Sequence, residues 1–297
     1  MCTTCGCSAP DQVVYTDPRT GAHSHGDGHI HTHGDPHGHL HSPDHHHDHA
    51  ADGCGRTIAL EQDILAKNQL AAERNRGWLA GREVLAINLM SSPGAGKTSI
   101  LERTIRDRQV AAPIHVLEGD QATANDAERI RSAGAPVLQI NTGTGCHLDA
   151  DMVSRGLRQL DPGRGSMVLI ENVGNLVCPA LFDLGERARV VIMSVTEGED
   201  KPIKYPHMFH ACELMLINKI DLLPYVRFDV ERCIAYARQA NSDLRVLRVS
   251  AETGEGMDAW YAWLLGHFSV AKSRENARRR NGTGTLDPSG QAAPSGA

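Results

Sequence analysis

The chain has 297 residues, a formal net charge of −6 and 40% hydrophobic residues. The mild, mixed charge argues against bulk nucleic-acid binding, and no apolar run reaches the 18 residues typical of a transmembrane helix. The first residues lack the basic start and apolar core of a signal peptide, so we expect a cytoplasmic protein that binds no membrane. Cytoplasmic thiols stay reduced, which favours metal ligands or buried apolar groups over disulfides for the eight cysteines.

Composition divides the chain into three parts. Residues 1–56 are rich in Cys, His, Gly, Asp and Pro, and they predict a disordered metal-binding arm because they hold too few large apolar residues to form a core. Residues 57–270 are predicted to form a single globular domain, which opens with an amphipathic helix over residues 57–80. Residues 271–297 are rich in Arg, Gly, Ser and Pro and predict a disordered tail.

Short apolar runs alternate with helical stretches through the predicted domain. The runs are rich in Val, Ile and Leu and barely alternate with polar residues, which is typical of strands buried on both faces. This repetition predicts an α/β fold, a mostly parallel sheet of about seven strands with helices on both sides, as in P-loop NTPases. The predicted strands are Val84–Met90, Ile114–Leu117, Val137–Ile140, Met167–Ile170, Val190–Val195, Leu214–Ile217 and Val246–Val249; the predicted helices between or after them are Thr98–Gln109, Gln121–Ala133, Leu148–Leu160, Phe228–Gln239 and Met257–Phe268.

A phosphate-binding loop follows the first predicted strand directly. The segment Ser91-Ser-Pro-Gly-Ala-Gly-Lys-Thr98 has the P-loop pattern in its strand–loop–helix context, although Ser91 replaces the usual first glycine. Its glycines allow backbone N–H groups to face phosphate oxygens at a helix N-terminus. Lys97 can reach the β and γ phosphates, and the Thr98 hydroxyl can bind Mg²⁺. The remaining predicted nucleotide contacts of this loop are Pro93, Gly94, Ala95 and Gly96.

Further candidate nucleotide-site residues follow other strands. Asp120 ends Glu118-Gly-Asp120 and can hold Mg²⁺, although a helix N-cap is the alternative interpretation. Glu171 opens the segment Glu171–Asn175, which we expect to respond to the γ-phosphate. Lys97, Thr98, Asp120 and Glu171 are therefore the predicted catalytic residues.

The segment Asn218-Lys-Ile-Asp221 predicts recognition of guanine. An Asp carboxylate there can accept hydrogen bonds from the N1–H and exocyclic amine of guanine, a donor pair that adenine lacks. Asn218 and Lys219 would brace the base and the P-loop, and a backbone N–H of Ser250-Ala251 would meet the guanine carbonyl oxygen.

The predicted arm contains two groups of metal ligands. Cys2, Cys5 and Cys7 can surround one thiophilic ion; square-planar geometry would suit Ni²⁺ and tetrahedral geometry Zn²⁺. The arm also contains 12 of the 17 histidines, which should bind several ions loosely and release them as the pH falls. These are His23, His25, His29, His31, His33, His37, His39, His41, His45, His46, His47 and His49.

A third candidate metal cluster lies within the predicted domain. Cys146 and His147 follow the third strand, and Cys178 follows the fourth, so their loops should share the carboxyl edge of the sheet. The sequence pattern alone leaves a metal site and an incidental Cys-His pair equally open. The other three cysteines, Cys54, Cys212 and Cys233, indicate a linker thiol and buried or helical positions.

Taken together, these motifs resemble the HypB family, GTPases that help insert nickel into nickel–iron hydrogenases. The matching segments are Cys2–Cys7, the histidine-rich arm, Leu89–Thr98, Glu118–Gln121, Asn141–Asp149, Glu171–Pro179, Thr196–Pro202 and Asn218–Asp221. The resemblance covers all but the C-terminal tail, and it includes a serine at the position of Ser91. It implies a GTPase that dimerises when GTP is bound, with Cys146, His147 and Cys178 forming a nickel or zinc site at the dimer interface. It also implies a HypA-type nickel accessory protein as partner and a hydrogenase large-subunit precursor as client.

The sequence therefore predicts a slow, GTP-hydrolysing nickel metallochaperone for hydrogenase maturation that uses GTP, Mg²⁺, Ni²⁺ and Zn²⁺ and also stores nickel in its arm. Two alternatives stay open. A urease-type nickel accessory GTPase shares the P-loop and the guanine motif, but the Cys2-Cys5-Cys7 motif and the Cys146-His147 pair argue against it. The chain could instead be mainly a nickel or zinc store whose GTPase domain is only a scaffold.

Overall fold

A computed structural model of the chain describes the backbone of residues 14–16, 23–25, 30–31, 54–120, 125–143 and 145–282. Side chains are described for residues 63–120, 125–143 and 145–269. Within these ranges, every helix falls short of the length and apolar character needed to cross a lipid bilayer.

Strands and helices alternate along the described residues. The strands are β1 (Val14–Thr16), β2 (His23–His25), β3 (Ile30–His31), β4 (Leu85–Ser91), β5 (Ile114–Asp120), β6 (Val137–Asn141), β7 (Met167–Glu171), β8 (Ala188–Ser194), β9 (Leu214–Asn218) and β10 (Arg245–Arg248). The helices are α1 (Cys54–Gly81), α2 (Lys97–Asp107), α3 (Asn125–Ala133), α4 (Ala150–Leu160), α5 (Cys178–Leu181), α6 (Lys201–Lys204), α7 (Pro206–His210), α8 (Val230–Ala240) and α9 (Met257–Gly282), with a 3-10 helix at Ile220–Tyr225.

The predicted α/β fold with a parallel sheet is confirmed. Seven strands lie in the order β10-β9-β8-β4-β7-β5-β6, and each neighbouring pair is parallel. Each of the seven predicted apolar runs overlaps one of these strands. Strand β4, which leads into the P-loop, lies in the middle of the sheet with β7 on one side and β8 on the other. The P-loop is therefore adjacent to the ends of both neighbouring strands.

The sheet is covered on both faces, as its apolar strands require. In β4, Leu85 and Ile87 pack in the core that contains Ile100 of α2 and Trp260 of α9. Ala86, between them, points to the opposite core, which contains Val153 of α4 and part of α1. Successive side chains of a strand face opposite sides, so one run of buried residues supplies both cores.

Three parts of the predicted organisation differ in the structure. Helix α1 begins at Cys54 and so includes the last three residues assigned to the arm. Helix α9 continues to Gly282, well into the predicted tail, because polar residues that form no core can still extend a helix begun by buried ones. The sequence predicts no strands in the arm, but β1, β2 and β3 add antiparallel strands beyond β6. The rest of residues 1–53 and residues 283–297 lie outside the described residues.

Candidate functional site

The P-loop joins β4 to α2 and adopts a conformation that requires glycine. Gly94 has φ 75° and Gly96 has φ 94°, values that favour glycine because other residues meet steric conflict there. Lys97, the first residue of α2, donates from Nζ to the Ser91 hydroxyl oxygen at 2.8 Å. The serine that replaces the usual first glycine therefore accepts a hydrogen bond from the P-loop lysine.

The end of β9 holds the P-loop from one side. The Asn218 amide donates from Nδ2 to the carbonyl of Ala95 at 3.0 Å, and Lys219 donates from Nζ to the carbonyl of Gly94 at 2.8 Å. A Cβ at Gly96 would lie 2.4 Å from Asn218 Nδ2. Gly96 is thus required both by its backbone conformation and by this close contact.

The loop after β10, which contains Ser250, Ala251 and Glu252 and is called the base loop, closes the predicted base site. Ser250 donates its hydroxyl to Asp221 Oδ1, and the Ala251 N–H donates to Asn218 Oδ1 at 3.2 Å. The Ser250 N–H donates to the carbonyl of Glu255 at 2.9 Å. Both N–H groups proposed for the guanine carbonyl oxygen are therefore engaged within the protein, and a base would have to displace one of these bonds.

Acidic side chains lie on the other side of Lys97 and Thr98. Glu118 of β5 is paired in register with Glu171 of β7, and both are buried. The Thr98 hydroxyl donates to Glu171 Oε1 at 2.7 Å. The Oε2 atoms of Glu118 and Glu171 are buried without a hydrogen-bond partner among the residues that the structure describes. Buried carboxylate oxygens of this kind suit a divalent cation, with Asp120 at the end of β5 as a further, half-buried donor.

Burial controls the protonation of this acidic group. Desolvation, reinforced by the charge of Glu171, raises the pKa of Glu118 to about 9. Desolvation also raises the pKa of Glu171 to about 7, against the opposing influence of Lys97. Burial lowers the pKa of Lys97 as well, although the surrounding carboxylates oppose this shift. A cation here would favour the ionised carboxylates and offset the cost of burying them.

The structure brings Cys146, His147 and Cys178 together, which sequence spacing left open. Their candidate ligand atoms all lie within 4.8 Å of one another. The Sγ atoms of Cys146 and Cys178 are 3.0 Å apart and are not joined in a disulfide, and Cys146 Sγ lies 3.7 Å from His147 Nδ1. Two thiols and an imidazole at these distances can coordinate one Ni²⁺ or Zn²⁺ ion.

Local structure prepares these residues for a metal. The His147 ring stacks on Phe182 with ring centroids 3.9 Å apart. Burial lowers the pKa of His147 to about 4, so its imidazole is neutral at physiological pH, as metal binding requires. Cys178 begins the short helix α5, and the Asn175 amide donates from Nδ2 to the carbonyl of Cys146 at 3.4 Å. This bond ties the two cysteine-bearing loops together.

The predicted metal ligands of the arm cannot be located in this way. Cys2, Cys5 and Cys7 lie outside the described residues, as do nine of the histidines. For His23, His25 and His31 the structure describes only the backbone, within β2 and β3.

The sequence assigned no role to several side chains that shape the site. Glu118 was named only as part of Glu118-Gly-Asp120, although an ionisable residue directly after the buried Val116 and Leu117 is a signal that could have marked it. Glu197, in the segment Thr196–Pro202, accepts hydrogen bonds from the Ser92 hydroxyl and, at 3.1 Å, from the Ser194 N–H. Arg103 of α2 donates to the carbonyl of Glu252 at 3.2 Å and so supports the base loop. Only tertiary contacts reveal Glu197 and Arg103 as supports of this site.

Comparison with known proteins is consistent with this arrangement. Residues 85–248 match the model of the CobW/HypB/UreG nucleotide-binding domain. A hydrogenase maturation factor HypB of Azotobacter vinelandii is 59% identical over 209 residues, which cover 70% of this chain and 69% of the relative. The corresponding factor of Cupriavidus necator is 45% identical and covers 91% of this chain and 90% of its own length, so that similarity extends into the arm.

A solved structure is similar as well. HypB from Helicobacter pylori, determined in complex with nickel, superposes with a TM-score of 0.65 at 32% sequence identity. The superposition covers 69% of this chain and 96% of that protein.

Proposed function

This chain belongs to the HypB family of hydrogenase maturation factors, within the CobW/HypB/UreG nucleotide-binding proteins, and we propose that it is a GTP-hydrolysing nickel metallochaperone. The observation that carries the proposal is that one edge of the sheet holds both a P-loop and a Cys146-His147-Cys178 cluster. The loop that leads to Cys178 packs closely on the P-loop, because a Cβ at Gly174 would lie only 3.2 Å from Pro93 Cα. The nickel complex of the Helicobacter pylori relative supports nickel as the cargo. We place this activity in the cytoplasm, where the thiols stay reduced.

Selection of GTP is assigned to Asp221. Its carboxylate lies beside the base loop through the bond from Ser250, and it can accept from both N–H donors of guanine. Adenine offers no such pair of donors, so the Asp221 carboxylate would make neither of these hydrogen bonds when ATP is bound. Asn218 and Lys219 hold the P-loop in place on the same side.

Hydrolysis is assigned to Lys97, Thr98, Asp120 and Glu171. In this role Lys97 leaves Ser91 to contact the β and γ phosphates, and the glycine-rich backbone binds the remaining phosphate oxygens. Thr98, Asp120 and Glu171, with Glu118 beside them, would hold Mg²⁺, which neutralises charge that develops on the phosphate oxygens. We propose that hydrolysis is slow, because the sequence motifs assign neither an arginine finger nor a residue that positions the attacking water.

Nickel is the proposed cargo of the Cys146-His147-Cys178 cluster, and zinc can occupy the same ligands. Val177 and Leu181 flank this cluster and are 50% and 54% exposed. Large apolar side chains at this exposure support a contact with a second copy of the chain when GTP is bound. The cluster would then lie at a homodimer interface, while Cys2, Cys5, Cys7 and the histidine arm store nickel.

We further propose that nickel arrives from, or leaves to, a HypA-type accessory protein and reaches a hydrogenase large-subunit precursor. The test is hydrogenase activity in cells that lack the chain, complemented with the wild type or with Lys97→Ala. The proposal expects Lys97→Ala to fail at limiting nickel and excess nickel to restore activity. Full complementation by Lys97→Ala at limiting nickel would favour a storage role instead. Hydrolysis of GTP and ATP by the purified chain tests base selection, and equal rates would refute the role of Asp221.

A further inference from the structure

The residue after His147 contacts the acidic segment at the end of β5. Leu148 is fully buried, and a Cβ at Gly119 would lie 2.8 Å from its Cγ and Cδ1 atoms. Gly119 stands between Glu118 and Asp120, and its φ lies outside the left-handed region, so its backbone does not require glycine. The close contact with Leu148 explains why position 119 is occupied by glycine, since any side chain there would collide with Leu148.

A second contact joins Leu148 to the acidic segment at the end of β7. The Leu148 N–H donates to Asn172 Oδ1 at 3.3 Å, and Asn172 directly follows Glu171. Asn172 is itself held, because its Nδ2 donates to Asn88 Oδ1 at 3.3 Å. Leu148 therefore connects the loop of Cys146 and His147 to both segments that carry the buried carboxylates.

We propose that Leu148 is a positioning residue that couples the nucleotide state to the geometry of the metal cluster. The inference rests on the proposed function, in which the segments around Glu118 and Glu171 respond to Mg²⁺ and the γ-phosphate. Packed cores respond to small shifts by discrete rearrangement. Because Gly119 leaves no free space beside Leu148, a shift of the β5 end displaces Leu148 and, with it, the adjoining His147. Such displacement changes the distance between His147 and Cys178 and hence the affinity for nickel.

Thermodynamic linkage provides the measurement. If the nucleotide state alters nickel affinity, nickel alters nucleotide affinity by the same factor. The dissociation constants for a non-hydrolysable GTP analogue and for GDP are measured, and the first is divided by the second. The coupling ratio is the factor by which saturating Ni²⁺ changes this quotient. It is measured on the full chain with fluorescent nucleotides and Mg²⁺. The Cys146→Ala variant retains the arm but lacks one cluster ligand, so dividing by its ratio removes the contribution of the arm.

Two glycines provide a matched pair of substitutions. Gly119→Ala places a methyl group against Leu148. Gly156→Ala places one in the same core but against Ile140, at 2.9 Å, and Leu117, at 3.1 Å, rather than against Leu148. Leu148→Ala removes the contact with Gly119 instead of crowding it, and it provides the test if Gly119→Ala does not fold.

We expect a wild-type coupling ratio of at least about fivefold, the lower range of known allosteric couplings. It should fall to about one in Gly119→Ala and in Leu148→Ala and remain at the wild-type value in Gly156→Ala. A wild-type ratio of one would refute nucleotide-dependent nickel binding, and with it the proposed function. A wild-type ratio retained in Gly119→Ala or Leu148→Ala, or lost equally in Gly156→Ala, would overturn the role of Leu148 and leave the proposed function intact.

Discussion

The buried carboxylate of Glu118 makes the stability of the nucleotide-free protein depend on pH. Its pKa is raised to about 9 in the folded state by burial and by the neighbouring Glu171, whereas the ordinary value is 4.5. A raised pKa means that the folded state retains a proton that the unfolded chain has already lost. The contribution of Glu118 to stability is therefore fully present below pH 4.5 and is lost as the pH rises towards 9.

The magnitude follows from proton linkage. Where one proton separates the two states, each pH unit lowers the free energy of unfolding by about 1.4 kcal/mol. Between pH 7 and 8.5 the loss should be about 2 kcal/mol. Glu171, with a pKa of about 7, contributes mainly below this window. The lowered pKa values of His115 and His147 act only below about pH 6.5, where unfolded histidine binds protons.

Urea unfolding in EDTA at several pH values from 7 to 8.5 measures this slope. Glu118→Gln preserves the shape of the side chain and removes its titration, so its free energy of unfolding should not show the wild-type fall across the window. The exposed Glu128 provides the control, and Glu128→Gln should retain the wild-type slope. Adding Mg²⁺ and GDP should reduce the wild-type slope, because a bound cation favours the ionised carboxylate. A wild-type slope of zero, or one unchanged in Glu118→Gln, would refute the reasoning.

Three further substitutions test other parts of the site. Gly96→Ala should abolish binding of fluorescent GDP, because the added Cβ would collide with Asn218. Gly134→Ala is the control: Gly134 also has a positive φ, 105°, but has open space around it, so this substitution should only lower the free energy of unfolding in urea by about 1–3 kcal/mol. Arg103→Ala removes the hydrogen bond that holds the base loop. In steady-state hydrolysis it should raise KM for GTP roughly tenfold and leave kcat nearly unchanged. A fall in kcat without a rise in KM would contradict this role of Arg103. Cys146→Ser should lower by one the number of Ni²⁺ ions that the chain retains in a chelator competition assay, without altering GDP affinity in metal-free buffer. An unchanged number of retained ions would show that the cluster is not a site.

Features encoded in local pattern could be predicted. The seven parallel strands follow from runs such as Leu85–Ser91, in which every residue is buried, because a strand covered on both faces is composed mainly of apolar residues. The P-loop was evident because the positive φ of Gly94 and Gly96 restricts the residues allowed there. The local sequence pattern predicted the ends of helices and strands less reliably. Helix α9, for example, continues to Gly282 through polar residues that the sequence assigned to the disordered tail.

Contacts between distant segments could not be read in the same way. Cys146 and Cys178 are 32 positions apart and follow β6 and β7, which are separated by β5, so only the assembled sheet brings their sulfurs to 3.0 Å. Glu118 and Glu171 become a coupled pair only because β5 and β7 are neighbours in register. The amino-acid sequence alone thus predicts the elements and the chemistry that each loop carries, because backbone conformation and burial restrict residue types locally. The order of the strands decides which loops meet, and it therefore places Leu148, the residue after His147, against the ends of β5 and β7.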